Sequence, residues 1–66
     1  MDEPMVRMVA EAYDETLAEA LAQGRHPDVA HREGLTAAAM FFASMAGIDD
    51  ASARAEVEAI GLSPHS

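Results

Sequence analysis

Apolar side chains recur along this chain at intervals of three and four residues, and no useful length alternates with a period of two. That periodicity predicts helices and no strands. In the first segment Pro4 suits an opening turn, while Asp2 and Glu3 stand where the helix dipole favours negative charge. The helix is expected over 4–23, closed by Gly24 as a left-handed terminator. Met5, Val9, Ala12, Tyr13, Thr16, Leu17, Ala20 and Leu21 make its apolar stripe, and the far side collects Arg7, Glu11, Asp14, Glu15, Ala18 and Ala22.

A second helix is expected over 27–46, opening at Pro27 after His26 and stopped by Gly47 with Ile48 folding back. His31, Gly34, Leu35, Ala38, Phe41, Phe42 and Met45 share one face of it. The opposite face holds Val29, Thr36, Met40 and Ala43 and carries no charge. A helix apolar on two sides needs two neighbours. The first helix is one of them, with Phe42 and Met45 expected to meet it. Met40 and Phe41 are expected to reach a second surface.

A short third helix is expected over 50–60, capped by Asp49 or Asp50, with Ala53, Val57 and Ile60 as a narrow stripe. Gly61 and Leu62 repeat the earlier stop, Pro64 prevents continuation, and residues 63–66 form a loose tail. The expected fold is therefore all-α, a single three-helix domain over 1–66 that homodimerisation completes. The second helix supplies the reason: Gly34 to Ile48 contains no charged residue, and such a run must be hidden.

Length sharpens the point, because a chain of roughly 60 residues buries only about 60% of the surface its unfolded form exposes. The chain has 66 residues and no cysteine, so neither a disulfide nor a thiolate zinc site supports it. Large apolar side chains are few: Leu17, Leu21, Leu35, Phe41, Phe42, Val57, Ile60 and the methionines. Pairing the second helix with a copy of itself would supply the missing core. Alanine and glycine along it would let two backbones come close.

Twelve acids against four arginines give a formal charge of −8 and a pI near 4.4. Binding to a phosphate backbone depends on lysine and arginine, so direct nucleic-acid contact is not expected. The third helix, as a reading helix, would offer Glu56 and Glu58 beside Arg54 alone. Anionic membranes are disfavoured on the same ground, and the uncharged run is shorter than the roughly 20 residues a span requires. The opening MDEPM lacks the basic start of a secretory signal, which sets the expectation of a cytoplasmic protein. Abundant alanine and an all-arginine basic set suit GC-rich coding and a bacterial or phage source.

Catalytic and metal chemistry find little footing. His26 and His31 are five residues apart, where the four-residue spacing would put two imidazoles on one helical face. They read instead as a helix-start histidine and a half-buried one above Leu35. Ser44 and Ser52 have no base or oxyanion loop nearby, and the glycines are scattered singly. No cofactor and no enzymatic activity are expected. Glu11, Glu15 and Glu19, with Asp14 beside them, form a ladder that repels itself and would greet a basic partner. The expected role is a noncatalytic interaction module, regulatory or accessory. It self-associates through Val29, Thr36, Met40, Phe41 and Ala43 and offers Glu11, Asp14, Glu15 and Glu19 to a second protein. The alternatives are an acidic inhibitor (an antitoxin, immunity protein or phage-encoded blocker of a nucleic-acid enzyme) and a small structural subunit of a larger complex.

Overall fold

The first amides of a helix have no intrahelical acceptor, and in each helix here the preceding side chain supplies one. Asp2 accepts from the Met5 amide at 3.1 Å and opens α1, Glu3–Ala22. His26 Nδ1 accepts from the Asp28 amide at 3.1 Å and opens α2, Pro27–Ala46. Asp49 takes the Ser52 hydroxyl at 2.7 Å and the Ser52 amide at 3.0 Å and opens α3, Asp50–Ile60. Those two bonds, the hydroxyl first, hold the Asp49 carboxyl below its usual value.

This computed structural model describes residues 1–64. It is an all-α, three-helix domain, without a strand among the described residues. Of the loose tail expected over 63–66, Ser63 is half-buried and Pro64 exposed, while His65 and Ser66 lie outside the described residues. At Gly24, with φ of 85°, the Gly24 amide reaches back to the Leu21 carbonyl and the Arg25 amide to that of Ala20. This reversed pair ends α1 and turns the chain into an antiparallel hairpin.

The two hairpin helices have 20 residues each, or about 30 Å of length at 1.5 Å per residue, close to the 33 Å long axis of the molecule. Between them lie Val9, Tyr13, Leu17 and Ala20 from α1 and Ala30, Gly34, Leu35, Ala38 and Phe42 from α2. Tyr13 is fully buried, and it sits where α2 has no side chain. A Cβ built at Gly34 would stand 2.7 Å from Tyr13 Cδ2, 2.9 Å from Cε2 and 3.2 Å from the Tyr13 carbonyl oxygen. Only a bare backbone lets the ring lie there.

α2 is the central element. It packs against α1 and against α3, whereas α1 and α3 scarcely touch. The second neighbour required by the apolar helix is thus α3, in the same chain. Ala53 and Val57 are its buried residues, Ile60 packs beside them, and Ala39 and Ala43 are buried on α2. With 11 residues, α3 is about 16 Å long and covers only part of a helix nearly twice its length.

Two expected core positions are exposed. Leu21 is 41% accessible because it is turned about 100° from the inward Ala20, and α1 has a neighbour on one side only. Met45, expected against the first helix, is 55% accessible. It lies 11 residues beyond Gly34, and counting 11 residues back from Tyr13 reaches Asp2, where α1 has not begun. Phe42, one turn earlier, is buried as expected.

The Tyr13–Gly34 approach makes a prediction against helix propensity. Alanine in place of a mid-helix glycine ordinarily adds about 1 kcal/mol of stability, whereas overpacking a tight core costs about 1–3 kcal/mol. Here the ring is fully buried, and the Tyr13 carbonyl oxygen, which belongs to the backbone, also stands 3.2 Å from the added atom. Gly34→Ala should therefore lower the urea midpoint, with a net loss of up to about 2 kcal/mol. An unchanged or higher midpoint would show that the ring gives way.

Candidate functional site

Two sides of α2 are covered, and a third is left open. Along it Val29, Glu33 and Ala37 are half-buried, Thr36 is exposed, and Met40 stands 62% accessible, the most exposed large apolar side chain described. These positions follow three-four spacing on one helical ridge. Met40 and Thr36 separate two open grooves. One, of about 370 Å³, is lined by Val29, Arg32, Glu33 and Ala37 besides the two ridge residues. The other, of about 330 Å³, adds Ala39 and reaches α3 at Asp50, Ala51 and Arg54.

Polar contacts hold the rims of this face. Arg54 donates from Nη1 to Thr36 Oγ1 at 3.2 Å and from Nε to Glu58 Oε2 at 2.9 Å, tying α3 to α2. Arg25 lies 3.4 Å from Glu33 across the end of the hairpin. Arg32 and Arg54 line the two grooves together with Glu33 and Asp50, so their charge is balanced in a chain of −8.

The expected interface residues separate into three places. Val29, Thr36 and Met40 lie on the open face. Ala43 is buried at 8% accessibility, which removes it from any contact surface. Phe41 is half-buried against the core and turned about 100° from Met40, toward α1, where it lines a groove with Met8, Ala12, Glu11 and Glu15. Arg32, Glu33 and Ala37 belong to the open face and were not singled out from the sequence. Their signal was available, because Val29, Glu33 and Ala37 repeat every four residues.

Glu11, Asp14, Glu15 and Glu19 are all exposed on α1. Arg7 pairs with Glu3 at 3.3 Å, not with Glu11, and Gln23 donates to Glu19 at 3.4 Å. His26 is the α2 cap described above. His31, half-buried, meets α1 through the Tyr13 hydroxyl, 2.5 Å from its Nδ1, with the two rings edge to face at 5.5 Å. When the imidazole is neutral with its proton on Nε2, the phenol donates to Nδ1. Among the described residues no group of three or more His, Asp and Glu side chains could hold a metal ion, and no helix is long and apolar enough to cross a membrane. No protein-family model, no curated protein and no solved structure matches this chain.

Burial first, and then the neighbouring Asp14 carboxylate, hold the Tyr13 phenol above its usual value of 10.0. A neutral form favoured by folding stabilises fully below the unfolded value near 10, and that contribution disappears as pH rises through the higher folded value. Tyr13 is the one tyrosine in the sequence, so phenolate absorbance reports it alone. The midpoint in native protein should exceed that in concentrated urea, with helix loss following it. Coincident midpoints would disprove the effect. Tyr13→Phe, which keeps the ring and removes the hydroxyl, should cost about 1 kcal/mol by denaturant titration.

Proposed function

We propose that this protein is a noncatalytic interaction module, regulatory or accessory in role, that self-associates through the open face of α2 and keeps the acidic side of α1 for another protein. The observation that carries this reading is Met40, exposed on the central helix between two grooves. A ridge beside a groove is what a two-fold interface needs, since each copy can lay its ridge in the groove of the other. Methionine suits such a contact, because its unbranched chain adapts to the surface it meets.

Electrostatics favour this face over others for a second copy. Two chains of −8 repel, and the repulsion is least where Arg32 and Arg54 balance Glu33 and Asp50. The small core adds the thermodynamic motive. Of the twelve buried apolar residues six are alanines, so extra burial at Val29, Ala37 and Met40 counts for much in so short a chain.

Sedimentation across a wide concentration range tests the reading. Wild-type protein should reach dimer mass at micromolar concentration, with association strengthened by added salt as the like charges are screened. Met40→Glu places two carboxylates in each dimer interface and should weaken association roughly 100-fold or more while helicity persists. A wild-type monomer at these concentrations, or a variant that associates unchanged, would overturn the assignment.

A further inference from the structure

The groove between α1 and α2 differs from the open face in the one property that selects a partner. Met8, Ala12 and Phe41 form its apolar part and Glu11 and Glu15 its rim, enclosing about 320 Å³ with no basic side chain in the lining. Met8 is 38% accessible and Phe41 half-buried, so both are free to meet another surface. Asp14 and Glu19 extend the negative charge along α1, and the nearest arginine in sequence, Arg7, is engaged by Glu3.

We infer that this groove docks an amphipathic helix of a basic partner protein, with its apolar ridge on Met8, Ala12 and Phe41 and its lysines or arginines on Glu11 and Glu15. The inference rests on the interaction-module reading and names the chemistry of the second partner. Glu11 and Glu15 are four residues apart, a rise of about 6 Å, and basic residues four apart on a parallel-lying helix present their charges at the same interval. An apolar groove with adaptable methionine beside it is the usual seat for such a helix. A second copy of this chain is the wrong occupant. It carries −8 itself, and Arg25, Arg32 and Arg54 all stand at the other face of α2 or its rims.

The probe is a fluorescent peptide of leucine and lysine, spaced so that the leucines make one helical face, titrated by anisotropy into the full chain and its variants. Wild type should bind it, less tightly as salt rises. Glu11→Gln with Glu15→Gln should weaken binding about tenfold. Asp28→Asn with Glu56→Gln removes the same charge elsewhere and should change affinity less than twofold. Met8→Glu should weaken binding although it adds a negative charge, because it spoils the apolar part of the groove. Circular dichroism confirms that each exposed-site variant is folded. Absence of binding, equal losses for the two double variants, or wild-type affinity in Met8→Glu each overturns the inference. Met40→Glu separates the two claims: it should bind the peptide like wild type, and loss of binding there would put the peptide on the wrong face. A failure of Met40→Glu to alter sedimentation would count against self-association alone.

Discussion

The approach of Tyr13 to Gly34 governs the rest of the molecule. A fully buried aromatic ring lies on helix backbone at a distance that admits no Cβ, which brings α1 and α2 together and sets the register between them. From that register follow the covered position of Phe42, the exposed position of Met45 level with the start of α1, and the meeting of the Tyr13 hydroxyl with His31. The ring contributes apolar burial, and its one polar atom is satisfied at the edge of the contact.

Placing α2 in the centre has a second consequence. α1 and α3 occupy two sides without closing on each other, so the helix with the fewest charges keeps a third side in contact with solvent. Arg54, joined to both Thr36 and Glu58, anchors α3 along one border of that side, and the Arg25–Glu33 pair marks the other end. The charges are sorted accordingly. Arg25, Arg32 and Arg54 border the open face of α2, and the carboxylate ladder runs along α1, where Arg7 is paired with Glu3. Two surfaces of different electrostatic character on so small a domain can serve two different contacts.

What could be read in the chain was local. Asp2, His26 and Asp49 precede their helices, and Gly24, Gly47 and Gly61 end them with positive φ, because capping depends on residues within one turn. The stripe of Val9, Tyr13 and Leu17 was equally plain, since periodicity is a property of one helix. Leu21 and Met45 were misplaced for the converse reason. Each belongs to an apolar pattern, yet the neighbour that should cover it lies on another side or ends too soon.

The amino-acid order by itself determined three helices, their ends to within a residue, most of the inward stripe of each and the excess of uncharged surface on the second. Tertiary structure alone decided how that excess is divided. α3 packs against α2 where Ala39 and Ala43 are buried, Phe41 turns to the α1 groove, and Val29, Thr36 and Met40 remain outside. The physical reason is that a helical pattern says which residues avoid water, while which neighbour covers them depends on register and helix length across the whole fold.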